Sequence, residues 1–257
     1  MAIGGEKLKK LQFIEEKIKN IVVDFDVEEY VFNEQIDQDC CEKLELLKKF
    51  PNQLRISTKL EQSEENLRRA ISTSVDNLMS ESKMDSKFTV LPSSACYFFY
   101  SMLEGTTMSN SRYFYTKKLC YRNESRVDNE TRFESFNMIE YVCVGKKEDV
   151  LSFIDEMKEK VKLLLKSLGI PAEYKHATDH FFLGEKDPRF LLQKIAPLKF
   201  EIVVEGLAIG SFNFHQNYFS QRFNIKLENE DCYSGCVAFG LERWLFSYLN
   251  NQSKEVN

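Results

Sequence analysis

Arg122 and Glu124, in the run CYRNE, are followed across a polar stretch by Arg132 and then Phe136. The whole segment, CYRNESRVDNETRFESFNMIEYV, reads as strand, polar loop, strand. An Arg and a Glu two apart on a strand project from one face. A guanidinium there binds phosphate through its fork, and the carboxylate accepts from an amino group. Arg132 then reaches a second phosphate from the loop, while Phe136 offers a ring to a purine. The same residues also suit a surface hairpin whose Arg and Glu pair with each other, since exposed ion pairs are common and weak. Roughly 120 residues further on, GCVAFGLERW has two small residues that allow close backbone packing, then a helix presenting Arg243. An Arg so placed stacks on a nucleobase while its charge meets phosphate. Each segment is weak evidence alone; together and in this order they describe a nucleotide cradle.

The elements that must position these side chains follow from periodicity. Leu8, Leu11, Ile14, Ile18 and Ile21 recur at three- and four-residue steps, predicting an amphipathic helix over 6–25. A second helix is predicted over Asp37–Lys49, ending at Phe50-Pro51 as the restriction before proline requires. A third is predicted over 59–79. From about residue 88 the texture changes to segments rich in β-branched and aromatic residues. Strands are predicted at Phe88–Leu91, Ser111–Tyr121, Phe133–Val144, Leu198–Val204, Ile209–His215 and Arg222–Leu227. One long helix interrupts them, with Val150, Ile154, Met157, Val161, Leu164 and Leu168 as its stripe and Gly169 then Pro171 as its end. A last helix is predicted from Cys236 to Leu249. Strands joined by long hairpins, with helices segregated, imply an α+β fold around an antiparallel sheet. The division expected is a mostly helical region over 1–86, a catalytic core over 87–250 and a polar tail over 251–257.

Composition narrows the class. The 257 residues are 43% apolar and 29% charged, as in an ordinary folded protein. No run approaches eighteen apolar residues, so no membrane span is expected, and the N-terminus lacks the pattern of a secretory signal. A net charge of −5 argues against a protein that grips long nucleic acid. The seven cysteines are odd in number and lack disulfide-framework spacing, which fits a reducing cytoplasm.

YRNE with Arg132 and Phe136 resembles the second signature motif of class II aminoacyl-tRNA synthetases, and AFGLER resembles the third. That resemblance implies a class II synthetase-like antiparallel sheet flanked by helices. It implies ATP, with Mg²⁺, as the nucleotide. Arg122 would then hold the α-phosphate, Glu124 the adenine amino group, and Arg132 and Arg243 the γ-phosphate, with Phe136 beneath adenine. Arg122 and Arg243 would carry the catalytic charge. The blocks LPSSACYFFY, ATDHFFLGEKD, LKFEIVV and SFNFHQNYF, with LELLKKFPNQL ahead of them, are similar in order to the amino acid:[carrier protein] ligases. These are truncated relatives of the atypical, zinc-dependent seryl-tRNA synthetases, and the likeness covers most of 30–250.

The narrower resemblance implies one zinc per chain, held by Cys96, Glu140 and Cys236, the last seven residues before Arg243. Three protein ligands leave an open fourth position, which in the family takes the substrate's amino group beside Glu140. The alternative is that both thiols are simply buried. Glu140 weighs against it, because it interrupts the run FNMIEYVCV, where an unpaired carboxylate is costly. Lys199, Ser211 and Asn213 match positions lining the family's nucleotide site. His215 reads as a structural histidine rather than a base, His176 and His180 receive no role, and Cys40 with Cys41 reads as helix packing.

The implied reaction joins a small amino acid to ATP as an adenylate and passes it to the phosphopantetheine thiol of a carrier protein. A homodimer is implied, and tRNA is not, because the long N-terminal arm that grips it is missing. The chain departs from the family's pattern in three places. The first motif lacks its proline around Val31–Gln35, the loop from Glu124 to Arg132 is one residue longer, and Ala238 replaces a glycine. Two rival readings remain at this point: an activating enzyme with another acceptor, such as a pathway amine or a tRNA, and a non-catalytic regulator.

Overall fold

The computed structural model describes residues 2–22, 24–128, 130–178, 198–228 and 230–255. In chain order the strands are β1 (Val27–Glu29), β2 (Ile56–Leu60), β3 (Met84–Val90), β4 (Thr107–Met108), β5 (Arg112–Tyr121), β6 (Ser135–Gly145), β7 (Glu173–His176), β8 (Lys199–Val204), β9 (Leu207–Gln216), β10 (Lys226–Leu227) and β11 (Tyr233–Gly240). The helices are α1 (Gly5–Lys19), α2 (Gln38–Lys43), α3 (Leu46–Lys49), α4 (Glu64–Ser72), α5 (Leu78–Glu81), α6 (Tyr97–Met102), α7 (Lys147–Ser167), α8 (Tyr218–Arg222) and α9 (Leu241–Glu255).

Seven strands form the main sheet in the order β1-β5-β6-β11-β9-β8-β7. Every neighbouring pair is antiparallel except β1 with β5, which is parallel. The α+β expectation therefore holds, with one parallel edge. Alternation along the strands sends successive side chains to opposite faces. On β6, Ile139, Tyr141 and Cys143 join a core formed with α1, α7 and α9. Val142 and Val144 join a second core on the other face, with residues of α2, α3, α6 and α8. Glu140 shares that second face by the same alternation.

The first core is made by the predicted amphipathic stripes. Leu11, Ile14 and Ile18 of α1 are buried, as are Val150, Phe153, Ile154, Met157, Val161, Leu164 and Leu165 of α7. Helix α7 stops in a left-handed cap. Gly169 has φ 68°, its N–H donates to Lys166 O at 3.1 Å, and the Ile170 N–H donates to Leu165 O at 2.9 Å. Buried Ile170 closes the cap against the core. At the end of α1, the Tyr141 hydroxyl donates to Ile18 O at 3.2 Å, tying that helix to the sheet.

Several local expectations change. The predicted helix over 59–79 is instead the end of β2, then α4, a 3₁₀ turn at Val75–Asn77 and α5. Ser63 caps α4 through the Asn66 N–H, and β2 pairs with β3 as an antiparallel ribbon. The predicted helix over Asp37–Lys49 divides at Glu45, which adopts φ 55°. Residues 222–227 end a short helix before the two-residue β10, so the long strand expected there is absent. Cys236 lies on β11 rather than in a helix, and the last helix begins at Leu241 and continues to Glu255. Strands β1 and β7 are edge strands of three and four residues, too short to carry a periodic signal. The expected boundary near residue 86 falls inside β3.

Gly235 shows why small residues precede the GLER turn. A Cβ there would meet Val150 Cγ1 and Ile154 Cδ1 at 2.8 Å and Asn213 O at 2.9 Å. Helix α7 thus packs directly on the backbone beside Cys236. Gly235→Ala is expected to lower stability by about 1–3 kcal/mol, the usual range for overpacking a core. Chemical denaturation of the purified variant measures this.

Candidate active site

Three elements bring the predicted metal ligands together. Glu140 lies in the middle of β6 and Cys236 on adjacent β11, where Glu140 opposes Ala238 and Cys236 opposes Val142. The carboxylate and thiol are thus diagonal neighbours on one face, within reach across the ladder. Cys96 comes from the turn that starts α6. One ligand atom from each lies within 4.8 Å of the other two, and all three residues are buried. Zinc bonds of about 2.3 Å to sulfur and about 2.0 Å to oxygen fit within such a triangle.

The surroundings single out one oxygen. Glu140 Oε1 accepts from Ser94 Oγ at 2.6 Å and from the Ala95 N–H at 2.7 Å. Glu140 Oε2 is buried and has no hydrogen-bond partner. A carboxylate oxygen left so is costly unless a cation meets it. Burial, reinforced by the Cys236 sulfur, pushes the Glu140 carboxyl up to about 7. The two thiols respond unequally. A hydrogen bond from Cys96 holds the Cys236 sulfur well below the ordinary thiol range, helped by His215. That same bond, with burial, holds the Cys96 proton in place. The donor set and the orphaned oxygen both suit a thiophilic divalent cation.

The nucleotide-directed residues lie at the other end of the same face. Arg122 and Glu124 sit in the loop beyond β5, not on the strand, so the shared face expected from strand alternation does not apply. Both still line a cavity of about 120 Å³ together with Phe136, Lys199, Ser211 and Arg243. The Arg122 guanidinium lies 5.0 Å from the Phe136 ring centre and donates to Ser93 O at 3.3 Å from Nη2. Arg132 pairs with Glu124 at 3.3 Å and reaches the cavity through that pair rather than lining it. Arg243 donates to Thr131 O at 2.7 Å and Ala208 O at 2.8 Å. Burial, then the charges of Arg122 and Arg132, hold the Arg243 guanidinium below its ordinary range. Converging cations of this kind are relieved by an anion.

A second cavity of about 480 Å³ is lined by Cys96, Glu140, Cys236, Asn213 and His215, and shares Arg122, Met138, Lys199, Ser211 and Ala238 with the first. One cleft therefore joins the guanidinium end to the thiol end. Ala238 lies between them on β11 and lines both cavities.

Some supporting residues escaped sequence reasoning. Asp128 shapes the loop, its carboxylate accepting from the N–H groups of Glu130, Thr131 and Arg132 at 2.7–2.9 Å. Those bonds hold its carboxyl well below the usual carboxylate range. The Asp-Asn-Glu-Thr run was a readable turn signal. Glu242 is buried, with both its oxygens accepting from the Asn137 N–H at 3.0 Å, and so joins the start of α9 to β6. Nothing in the tetrapeptide GLER marks that role. His176 is exposed on β7, while His180 and residues 179–187 of the ATDHFFLGEKD block lie outside the described residues. Cys40 and Cys41 are packed in the second core, as expected.

Comparison with known proteins identifies the family and the fold. Residues 79–252 match the family model described as tRNA synthetase class II core domain (G, H, P, S and T). The chain is 30% identical over 228 residues to amino acid–[acyl-carrier-protein] ligase 1 of Bradyrhizobium diazoefficiens, covering 84% of this chain and 69% of that one. It is 26% identical over 132 residues to the type-2 serine–tRNA ligase of Methanopyrus kandleri, covering 46% of this chain and 25% of that one. A solved complex of A. aeolicus tRNASec with M. kandleri SerRS superposes with a TM-score of 0.81 at 18% identity, over 95% of this chain and 52% of that chain. The chain thus spans about half the length of the synthetase whose fold it shares.

Glu140 makes the metal reading testable through stability. Its folded carboxyl stands above the unfolded value near 4.5, so its ionisation costs stability that grows as pH rises from about 4.5 through about 7. Glu140→Gln keeps the carbonyl that accepts from Ser94 and Ala95 but carries no charge. At pH 8 the metal-free variant is expected to melt at or above the metal-free parent and to retain less zinc after dialysis. Thermal melts and elemental analysis give the two readouts.

Proposed function

Because this chain belongs to the class II tRNA synthetase core family, and within it to the amino acid–[acyl-carrier-protein] ligases, we propose that it activates a small amino acid with ATP and transfers it to a carrier-protein thiol. The observation that carries this reading is the single cleft, with guanidiniums at one end and the Cys96, Glu140 and Cys236 cluster at the other. An amino acid has a carboxylate to be activated and an amine to be held. The cleft offers a matching group for each.

In the first half-reaction the amino acid carboxylate attacks the α-phosphorus of ATP, supplied with Mg²⁺, and pyrophosphate leaves with the broken P–O bond. No side-chain nucleophile is required. In this reading Arg122 meets the α-phosphate, while Arg243 and Arg132 meet the γ-phosphate. Glu124 accepts from the adenine amino group, with Phe136 as its platform. These residues supply position and charge, the main terms in phosphoryl-centre chemistry of this kind. The Glu124–Arg132 pair engages only Oε2 of the carboxylate, which leaves Oε1 to accept from the adenine amino group. Lys199, Ser211 and Asn213 line the passage between the ends. Cys96, Glu140 and Cys236 would hold zinc, which would supply a Lewis acid for the substrate amine.

In the second half-reaction the carrier's thiol, as thiolate, attacks the adenylate carbonyl, and AMP departs with the electrons of the C–O bond. A pantetheine arm is long and thin, so the site needs only a narrow opening for it. The name of the Bradyrhizobium relative supports this acceptor. A homodimer and the exclusion of tRNA belong to the same proposal. The seven free, buried thiols suit a reducing cytoplasm.

Amino-acid-dependent exchange between ATP and labelled pyrophosphate tests the first half-reaction. One or a few small amino acids are expected to support it, and Arg122→Ala is expected to slow it roughly 10²–10³-fold, the usual effect of removing one stabilising donor. Silence with all twenty amino acids would favour a non-catalytic regulator. The acceptor is tested by offering labelled amino acid with phosphopantetheinylated carrier protein and, separately, with total tRNA. Label is expected on the carrier; label on tRNA alone overturns the choice of acceptor.

A further inference from the structure

Opposite Ser234 and Gly235, just before Cys236, strand β9 contains an irregularity that the activation chemistry does not by itself require. Ser234 pairs with Gln216 and Gly235 pairs with Phe214, so His215 is an extra residue without a cross-strand partner. The next residue, Gln216, adopts φ 55°, an uncommon conformation for a residue with a side chain. A bulge of this kind re-aims a side chain, and such strain persists only where the surroundings enforce it. Here the bulged side chain meets the Cys236 sulfur, with His215 Nε2 3.6 Å from Sγ.

The imidazole is held on its other side too. Its Nδ1 lies 2.9 Å from the hydroxyl of Tyr100, a fully buried residue of α6. Tyr100 stacks on Phe219 at 4.0 Å between ring centres, and the edge of His215 meets the same Phe219 at 5.0 Å. Helix α6 also carries Cys96 at its start, so the clamp and one metal ligand share a rigid element.

We propose that Tyr100 and His215 are positioning residues that present the Cys236 sulfur to the metal. The inference rests on the metal reading above. His215 is not itself a ligand, since it does not join the group whose donor atoms lie within 4.8 Å of one another. It acts through Cys236. When Tyr100 donates its hydroxyl proton to Nδ1, the ring proton resides on Nε2 and points at the sulfur. The reverse tautomer aims a lone pair there and suits only a protonated thiol. A metal ligand is a thiolate, so the Tyr100-to-Nδ1 direction accompanies the metal-bearing state. Asn213 Nδ2 adds a second donor to the same sulfur at 3.3 Å. Cys236 is thus ringed by two N–H donors, whereas Cys96 meets the Ser94 hydroxyl at 3.5 Å. Partners of this type orient a ligand and tune its bond to the metal.

The test uses the whole chain loaded with zinc, and separately with Co²⁺. His215→Leu keeps bulk but removes the donor, Tyr100→Phe removes only the hydroxyl, and His215→Gln restores an N–H. Competition with a chromogenic chelator is expected to show zinc loosened by about 10–100-fold in His215→Leu, less in Tyr100→Phe, and regained at least in part by His215→Gln. In the cobalt forms the thiolate-to-metal charge-transfer band is expected to shift in His215→Leu and return in His215→Gln, a change that a role in folding alone would not produce. Should His215→Leu fold poorly, Tyr100→Phe carries both measurements. A parent chain that binds zinc, with variants that hold it equally and show unmoved bands, overturns the relay and leaves the metal reading intact. A parent chain that binds no zinc overturns both.

Discussion

A carboxylate in the middle of a buried strand constrains everything around it. Glu140 is fully buried in β6, between the hydrophobic residues Ile139 and Tyr141. An uncompensated charge there would cost several kcal/mol. One oxygen is answered by Ser94 and the Ala95 N–H, which draws the chain entering α6 down onto the sheet. That contact brings Cys96 close to Cys236. The second oxygen is left without a hydrogen-bond partner. An apolar side chain would pack more cheaply at this position, but the buried cluster of two thiols and a carboxylate would then be lost.

The antiparallel sheet gives the two halves of the cleft a common frame. Phe136, Met138 and Glu140 follow at two-residue intervals along β6, as Cys236 and Ala238 do along β11 and Ser211 and Asn213 along β9. Each strand thus contributes to both the guanidinium end and the thiol end through one alternation. Beneath it, α7 lies hard against Gly235 and fixes the height of β11. A displacement of that helix would move Cys236 and the start of α9 with it. Rigid packing on one face is what allows charge to be held in place on the other.

The guanidinium end shows a different balance. Arg122 rests against Phe136, Arg132 against Glu124, and Arg243 against two backbone carbonyls. These contacts keep three cations close together with one carboxylate among them. Arg243 is the firmest, since its bonds join the loop at Thr131 to β9 at Ala208. The other two contacts are longer or more exposed. The loop itself is pre-shaped by Asp128, so its ordering does not have to await the nucleotide.

The sequence by itself determined the α+β class, the stripe and cap of α7 and the strands β5, β6, β8 and β9, while the residues expected to meet in the cleft were named by the resemblance of their motifs to a known family. The fold features follow from short-range causes: alternation, helical period and a left-handed glycine. It misread 59–79 and 236–240, because short elements flanked by polar turns have helical and extended readings of similar local energy, and pairing with a neighbouring strand decides between them. It could not show that Arg122 and Glu124 leave the strand before they act, nor that Arg132 stands behind Glu124. Least visible was His215. One surplus residue in β9, set against Gly235 and Ser234 of another strand, turns an ordinary strand-face histidine toward a sulfur 21 residues away in the chain. Register between strands is a property of the assembled sheet, and no local pattern in SFNFHQ contains it.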